Sequence, residues 1–370
     1  MLIAHISDTH LGHRHLHHVD SEGRNVREQD VYTAFNAAID AIIEIQPACV
    51  VHAGDFFDSY HPSTQALTVA LDGLARLRDA GIPFVGIAGN HSTPRQRSTE
   101  HVFSLLSRFG GDFIWQEPRV VRVDSLAVHG IPHQHNAEAL AATVAAASPV
   151  ADADYNVLLL HGGFDTLSQV GAGEPGSITL DPEVLQAASE FDYVALGHLH
   201  IEQPARLNAY YAGSLERLTF ADSARRKGFV VVDLARDPTD DARLRLHEVA
   251  TRPFFELPAL DAETGEDPLE LLEQELRGRN LDQAIIRCRV VNIDPGSWRA
   301  LDRNRLEELT CRCLHFELLP LFDARAAVAV GAPTDLRAFV DAHTPRGLKS
   351  DELFARAQNY LARVDGDASE

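Results

Sequence analysis

Polar side chains of three kinds, Asp, Asn and His, repeatedly follow the short apolar runs of this chain, and this limits the folds that it can adopt. The clearest case is the predicted strand Ala48–Ala53, which opens through Gly54 into Asp55. Seven other residues share this placement, namely Asp8 and His10, Asn90 and His91, His161, and His198 and His200. The carboxyl ends of strands meet at one edge of an open α/β sheet, where ligands bind. Oxygen and imidazole ligands suit manganese, iron or zinc, so the pattern predicts a metal site at a sheet edge.

The segments between these runs have the periodicity of amphipathic helices. Apolar residues recur at helical spacing over 29–45, and again from about Ser63 to Gly81, where the glycine is predicted to cap the helix. Strand, helix and strand joined by short loops are typical of a parallel sheet with right-handed crossovers. Residues two apart in an extended segment share a face, so Asp8 and His10 are expected to address one metal ion. The first part of the chain is therefore predicted to be an α/β domain.

The composition indicates a globular protein of a reducing compartment. With 370 residues, 45% of them hydrophobic, the chain can bury a large core. Its four cysteines are too few for a disulfide framework, and no apolar run reaches the roughly 20 residues that span a bilayer. The first strand begins at Leu2, which leaves no space for a cleavable signal. We therefore expect a cytoplasmic protein that does not enter a membrane.

The formal charge of −21 limits how this protein can bind a polyanion. Adsorption to nucleic acid by charge alone needs clustered Lys and Arg side chains, which argues against that mode of binding. Two divalent ions would nevertheless place positive charge where a phosphodiester must sit. A DNA substrate is therefore not excluded if a partner protein supplies much of the affinity. The polar loop with His13, His15, His17 and His18 is expected to be solvated, or alternatively to touch a nucleic-acid backbone.

The local composition of the chain changes near residue 250. Pro253 and Pro258 interrupt regular secondary structure in this segment. The acidic run over 261–267 is typical of a solvated connection between domains. We predict a first domain over 1–250, a capping domain over 251–333 and a helical tail over 334–370. The capping domain is predicted to be a small α+β unit with a helix Pro268–Arg277, a strand Ala284–Val291 and a helix Trp298–Cys313.

The tail has two short apolar stripes separated by Pro345 and Gly347. They consist of Leu336, Phe339 and Val340 in the first segment, and of Leu353, Phe354, Ala357 and Leu361 in the second. Isolated helices this short gain stability mainly by packing on something else. The stripes are therefore expected either to pack on the capping domain or to dock a partner.

The ordered motifs resemble those of the calcineurin-like metallophosphoesterase superfamily. They read Asp-x-His, Gly-Asp, Gly-Asn-His, a single His and Gly-His-x-His, each at a predicted strand end. The resemblance implies a two-sheet β-sandwich flanked by helices, with a dinuclear metal site. It also implies the role of each residue: Asp8, His10 and His200 bind one ion, Asn90, His161 and His198 bind the other, Asp55 bridges both, and His91 is the catalytic histidine.

Within that superfamily the chain is most similar to the SbcD nuclease family, the bacterial counterpart of the Mre11 nucleases of archaea and eukaryotes. The similarity covers about residues 1–233 and is carried by the segments 6–12, 52–58, 191–200 and 211–217. It implies a manganese-dependent phosphodiesterase that acts on DNA, an exonuclease with endonuclease activity in the processing of double-strand breaks and hairpins. It further implies a homodimer, with the helices over 63–80 and 98–109 as candidate contacts. The partner implied is an SbcC-type (Rad50-type) coiled-coil ATPase, which the tail would dock.

Two positions depart from the family pattern. Ser92 stands where the family has an aspartate after Gly-Asn-His, and it is expected to change the support of the loop rather than remove a ligand. Asp58 stands where some members carry a histidine implicated in DNA handling. Two alternative functions stay open, a phosphodiesterase for small nucleotides and a scaffold whose metal site has decayed.

Overall fold

The computed structural model describes residues 1–93, 101–164, 177–264, 267–322 and 353–354. The chain divides into two compact units. The first comprises Met1–Glu256, Asn280–Ile286 and Arg312–His315, and the second comprises Leu257–Arg279, Arg287–Cys311 and Phe316–Glu370. The loop over 171–176, the start of the helix over 98–109 and nearly all of the predicted tail lie outside the described residues. Among the described helices, none combines the length and the hydropathy of a membrane span.

Two six-stranded mixed sheets form the first unit. In spatial order, the first sheet contains β14 (Leu244–Glu248), β13 (Gly228–Asp233), β1 (Leu2–Ile6), β2 (Cys49–His52), β3 (Phe84–Ile87) and β4 (Asp112–Ile114). The second contains β11 (Gln203–Arg206), β12 (Ala209–Tyr211), β10 (Tyr193–Gly197), β7 (Tyr155–His161), β6 (Leu126–Gly130) and β5 (Arg119–Val123). Strands β1 to β4 are parallel, as are β6, β7, β10 and β12. Shorter strands are β8 (Gly163–Phe164), β9 (Thr179–Leu180) and β15 (Phe254–Glu256).

Helices connect the strands and cover the outer faces of the sheets. They are α1 (Val26–Ile45), α2 (Thr64–Asp79), α3 (Phe103–Leu106), α4 (Ala137–Ala146) and α5 (Val184–Ala187), with a 3₁₀ turn at Phe220–Asp222. The side chains of Asn25 and Ser63 cap α1 and α2 by accepting hydrogen bonds from Glu28 N and Ala66 N. Gly81 follows α2 with a φ of 74°, the left-handed conformation predicted for this cap.

Three buried clusters hold these layers together. Ile3, Val51 and Val157 belong to the cluster between the two sheets. Ala4 belongs with Phe35 of α1 to a cluster on the outer face of the first sheet, because successive side chains of a strand point to opposite faces. A third cluster joins the second sheet to α4 and α5. These layers confirm the predicted α/β fold of two sheets flanked by helices.

The second unit has its own short elements. They are β16 (Leu260–Asp261), α6 (Pro268–Leu276), most of β17 (Ile285–Ile293), α7 (Pro295–Ala300), α8 (Arg303–Thr310) and most of β18 (His315–Phe322). Strands β16 and β18 both pair with β17. The prediction of one helix over Trp298–Cys313 is wrong, because Asp302 begins a new helix by accepting hydrogen bonds from Asn304 N and Arg305 N. The strand β18 was also absent from the sequence prediction.

Candidate metal centre

The ends of five parallel strands meet at one edge of the two sheets. These strands are β1, β2 and β3 of the first sheet and β7 and β10 of the second. Main-chain hydrogen bonds hold the first two loops together, from Asp8 N to Gly54 O and from His10 N to Asp55 O, both at 3.0 Å. The structure thus brings together residues that are far apart in the sequence.

Six buried side chains form two groups at this edge. The first group contains Asp8, His10 and His200, and the second contains Asp55, His161 and His198, with the possible ligand atoms of each group within 4.8 Å of one another. Asp55 lies between the groups, because its Oδ2 is 3.0 Å from His161 Nε2 and 4.0 Å from His10 Nε2. The first group contains the three side chains that the resemblance assigns to one ion, and the second contains His161 and His198, which it assigns to the other, together with Asp55.

The second group is built from hydrogen-bond acceptors. His161 Nδ1 donates to the Ala53 carbonyl at 2.8 Å, which leaves Nε2 with a lone pair when the ring is neutral. This Nε2 lies 2.9 Å from Asn90 Oδ1 and 3.0 Å from Asp55 Oδ2. His198 Nδ1 lies 3.1 Å from the same Asn90 oxygen. Acceptors that converge in this way need a proton or a metal ion between them, and Asp, Asn and His are side chains that bind divalent metals.

The electrostatics of the metal-free centre favour a cation. Burial by itself lowers the pKa of His161, but the Asp55 carboxylate outweighs this effect and raises that pKa to about 9. Burial raises the pKa of Asp8 to about 6. Burial also acts to raise the pKa of Asp55, yet the charge of His161 outweighs it and holds the pKa well below the usual range. The position between His161 and Asp55 therefore favours a proton or a metal ion.

Four candidate ligands have left-handed backbone conformations. Their φ values are 49° at Asp8, 43° at His10, 51° at Asp55 and 102° at His198. Such conformations cost on the order of 1–3 kcal/mol each and cluster at functional sites. The prediction that Asp8 and His10 share a face because their segment is extended is wrong. The segment is not extended, because β1 ends at Ile6, so the turn of the backbone places both side chains in one group.

Two glycines permit this close approach of the loops. A Cβ on Gly54, whose φ is 104°, would lie 2.2 Å from His161 Nδ1. A Cβ on Gly89 would lie 2.3 Å from Asp55 Oδ1. Real side-chain atoms do not approach so closely, so any larger residue would displace a candidate ligand. Steric exclusion thus accounts for the glycines of the Gly-Asp and Gly-Asn-His motifs.

His91 lies beside the first group. Its main-chain N–H donates to Asp55 Oδ1 at 2.9 Å, and its Nδ1 donates to the Asp58 carbonyl at 2.8 Å. The His91 ring packs edge-on against the ring of His10, with centroids 4.7 Å apart. His91 therefore supports the bridging carboxylate through its main chain and keeps its imidazole next to the candidate ligands.

The Asp58 side chain holds two imidazole rings. Its Oδ1 accepts from His10 Nδ1 at 3.1 Å and from His13 Nδ1 at 2.9 Å. Because Nδ1 of His10 donates, its Nε2 carries the lone pair that a metal ion needs. A carboxylate that fixes a ligand histidine in this way strengthens metal binding. The expectation of a solvated loop is wrong for His13, whose side chain is only 18% exposed.

A buried ammonium group supports the loop that carries His200. Lys227 Nζ donates to the His200 carbonyl at 2.7 Å, and to Ser214 Oγ and Asp222 Oδ2 at 2.8 Å. The side chains of Lys227 and Asp222 are 1% and 0% exposed, so this ion pair is fully removed from solvent. No motif in the sequence pointed to Lys227, and the only signal was that the chain has just two lysines.

His133 is a second residue that the sequence analysis missed. It follows β6, whose end lies at the same edge as His161 because β6 and β7 are parallel. The ring centroids of His133 and His161 are 6.3 Å apart. The signal that could have found it was present, since His133 comes three residues after the predicted strand Leu126–Gly130.

The residues of the centre fit divalent metal ions. His10 Nε2 is buried and forms no hydrogen bond with any described residue. Such atoms are costly unless an ion or solvent pairs with them. Carboxylate and amide oxygens together with imidazole nitrogens are the donor set of hard and borderline divalent metals.

The sequence of this chain is similar to a known protein family and to several known proteins. The profile of the family described as calcineurin-like phosphoesterase matches residues 1–202. The DNA double-strand break repair protein Mre11 of Saccharolobus solfataricus is 33% identical over 204 residues, which are 54% of this chain and 49% of that protein. The protein of the same name from Halobacterium salinarum is 30% identical over 290 residues, 77% of this chain and 69% of that protein. A solved Thermus thermophilus structure has 11% identity and a TM-score of 0.42, covering 67% of this chain and 98% of its own.

The fold and the centre define a calcineurin-like metallophosphoesterase, a class whose site takes two divalent metal ions. The first unit contains both groups of candidate ligands. Within this class, the chain belongs to the Mre11/SbcD nuclease family. The chain spans about half the length of the Saccharolobus solfataricus and Sulfurisphaera tokodaii relatives, 49% and 50%.

Proposed function

We propose that this chain is a manganese-dependent nuclease that hydrolyses phosphodiester bonds of DNA, an exonuclease with endonuclease activity in the processing of double-strand breaks and hairpins. The observation that carries the proposal is the convergence of carboxylate, amide and imidazole acceptors around Asp55. The similarity to proteins named for DNA double-strand break repair supports DNA as the substrate class. Oxygen and imidazole ligands support manganese as the ion.

The metal ions would be held by the two groups of the centre. Asp8, His10 and His200 would bind one ion, Asn90, His161 and His198 the other, and Asp55 both. A bound pair of this kind orients a phosphodiester and makes hydroxide available at neutral pH. The chain itself supplies the orientation of the ligands. The Asp58 carboxylate fixes the ring of His10, and the Ala53 carbonyl fixes the ring of His161.

His91 is the residue proposed to act on the substrate. Its Nδ1 donates to the Asp58 carbonyl, so Nε2 is the nitrogen that can serve the reaction. When the ring is protonated to the imidazolium, Nε2 would donate a hydrogen bond to a phosphoryl oxygen or a proton to the leaving oxygen. The scheme needs no covalent nucleophile, because the attacking oxygen comes from water.

The proposal is tested by digestion of end-labelled linear duplex DNA beside hydrolysis of bis-p-nitrophenyl phosphate. Each substrate is incubated with manganese, with magnesium, and with manganese plus excess EDTA. We expect manganese-dependent cleavage of both substrates, which EDTA abolishes. Hydrolysis of small phosphodiesters without any digestion of DNA would instead indicate a small-nucleotide phosphodiesterase. A manganese-loaded protein that cleaves neither substrate would indicate a scaffold.

We further propose a cytoplasmic homodimer that works with an SbcC-type ATPase docked on the tail over 334–370. The charge of −21 supports a partner, because it leaves much of the DNA affinity to be supplied by another protein. The two apolar stripes of the tail sequence support a contact between helices. Truncation after Pro333 should leave a folded, manganese-dependent nuclease and abolish ATP-stimulated digestion with the partner. If the truncated protein still co-purifies with the ATPase at full stoichiometry, the partner binds elsewhere.

A further inference from the structure

We propose that His133 is a further substrate-binding residue, which donates a hydrogen bond to a phosphate group bound beside His161. The inference rests on the proposed function, because it assumes that a phosphodiester occupies the metal centre. It adds to the centre a residue that is neither a metal ligand nor the histidine assigned to catalysis.

The backbone of His133 is fixed at the edge where the candidate ligands meet. β6 pairs in parallel with β7, and Gly130 at its end lies opposite Leu159. Three residues later, the main-chain N–H of His133 donates to the carbonyl of Ala88 at 2.8 Å. Ala88 begins the loop that carries Asn90, so His133 lies between the second sheet and a loop of the metal centre.

The side chain of His133 is buried beside the second group. The residue is 5% exposed, and its ring meets the ring of His161 edge-on, at 6.3 Å between centroids. His161 and Asp55 are its strongest electrostatic neighbours, followed by His135 and His198. His133 therefore faces the same surroundings as the acceptors that converge in the second group.

Neither ring nitrogen of His133 forms a hydrogen bond with a described residue. A buried polar group without a hydrogen-bond partner destabilises a protein. This cost exceeds the stability that a typical hydrogen bond contributes. His129 provides a contrast on the preceding strand. It is equally buried, but its Nε2 lies 2.9 Å from Asn156 Oδ1. A purely structural histidine of this sheet is thus hydrogen-bonded, whereas the one next to the metal centre is not.

The chemistry of the His133 ring suits a phosphate. In its neutral form the ring offers one N–H donor. Phosphate oxygens are strong acceptors, and hydrogen bonds to charged groups are stronger than those between neutral groups. An N–H that has no partner among the described residues is therefore available to a ligand phosphate.

The test compares His133→Leu with His129→Leu, two substitutions of buried histidines a few residues apart. Four quantities are measured: the melting temperature in EDTA, the manganese content, the affinity of the manganese-loaded protein for inorganic phosphate, and kcat and KM for bis-p-nitrophenyl phosphate. For His133→Leu we expect an unchanged or higher melting temperature and full manganese content. We also expect kcat/KM and phosphate affinity to fall about 10- to 100-fold, as for the loss of one hydrogen bond to a charged group.

The control should behave in the opposite way. His129→Leu removes the partner of Asn156, so the melting temperature should fall while kcat/KM and phosphate affinity stay unchanged. A third variant, His133→Gln, keeps an N–H donor and should recover part of the phosphate affinity. Wild-type phosphate affinity and kcat/KM in His133→Leu would overturn the proposal, and so would loss of manganese from that variant. If the wild-type protein hydrolyses neither ester nor DNA, the proposed function fails, whereas phosphate affinity still decides the role of His133.

Discussion

The Lys227 ammonium donates a hydrogen bond of 2.7 Å to the main-chain carbonyl of His200, and both residues are buried. The same ammonium is paired with Asp222 at 2.8 Å. A buried charge of this kind is costly to remove from water, and here it ties the start of β13 to the loop that carries a candidate ligand. The contact therefore has a role in holding His200 in place.

The double variant Lys227→Met with Asp222→Asn tests this role. It removes both charges, so that neither is left buried alone. We expect the fold to survive and one of the two manganese ions to bind about 10- to 100-fold more weakly, as when a residue that orients a ligand is lost. Calorimetric titration of the metal-free protein with manganese measures both sites. Two sites of wild-type affinity would show that Lys227 only stabilises the fold.

Asp58→Ala should also weaken metal binding, through His10 rather than His200. The substitution removes the acceptor of His10 Nδ1 and His13 Nδ1, so the His10 ring loses its fixed tautomer. We expect roughly 10- to 100-fold weaker binding of one ion. His13→Ala is the matched control, because it leaves the bond between Asp58 and His10 intact and should keep wild-type manganese affinity. Equal losses in both variants would mean that the loop, and not the tautomer, determines affinity.

His91→Ala should separate catalysis from metal binding. The main-chain bond from residue 91 to Asp55 does not depend on the side chain, so both ions should stay bound. The rate should fall on the order of 10²- to 10⁴-fold, the usual effect of losing a positioned acid or charge stabiliser. Rates of DNA digestion and manganese content are measured on the same preparation. If the variant lost an ion, His91 would be a ligand.

Asp8→Asn should stabilise the metal-free protein, by an amount that grows above about pH 4 and is complete above about pH 6. Burial raises the pKa of Asp8 from 3.8 to about 6 in the folded protein. The ionised form is therefore disfavoured by folding, with a penalty that is absent below the unfolded pKa, grows between the two values and is complete above the folded one. Asparagine carries no such penalty. In EDTA at pH 7.5 the variant should exceed the wild type by on the order of 1–3 kcal/mol.

Melting temperatures in EDTA from pH 4 to pH 8 measure this difference. Comparison of the two proteins at each pH cancels the titration of His5 and His52, whose pKa values burial lowers to about 3. The advantage of the variant should shrink as the pH falls from 6 to 4. Addition of manganese should reverse the order, because the carboxylate of the wild type binds a divalent ion more strongly than the neutral amide of the variant. A variant that is less stable than the wild type in EDTA at pH 7.5 would contradict the account.

The strand ends of the metal centre could be predicted from the sequence because the candidate ligands follow short apolar runs within a few residues. The parallel sheets then follow from the strand and helix order. The left-handed conformations of Asp8 and His10 could not be predicted, since nothing in an Asp-x-His motif distinguishes a turn from an extended segment. The three-residue strand Asp112–Ile114 was missed because it is too short to show a period of two.

Residues that act only through tertiary contacts could not be predicted from the sequence pattern. Lys227 meets His200, Ser214 and Asp222 only in the folded chain. His133 was within reach of the pattern, because it also follows an apolar run. It was missed because two residues, Ile131 and Pro132, separate it from the strand.

The central claim is that Asp55 bridges two metal ions. Its Oδ2 lies between His161 Nε2 and His10 Nε2, at 3.0 Å and 4.0 Å. Only a carboxylate offers two anionic oxygens for a bridge, so Asp55→Asn should bind both ions weakly and lose manganese-dependent cleavage of DNA. The neutral amide has nearly the same volume as the carboxylate, so the fold should be kept.

The most direct measurement is the manganese content of Asp55→Asn and wild type by elemental analysis after loading and desalting. The account predicts two ions per wild-type chain and the loss of both from the variant. A variant that retains two tightly bound ions would contradict the bridging role of Asp55 and with it the proposed architecture of the centre.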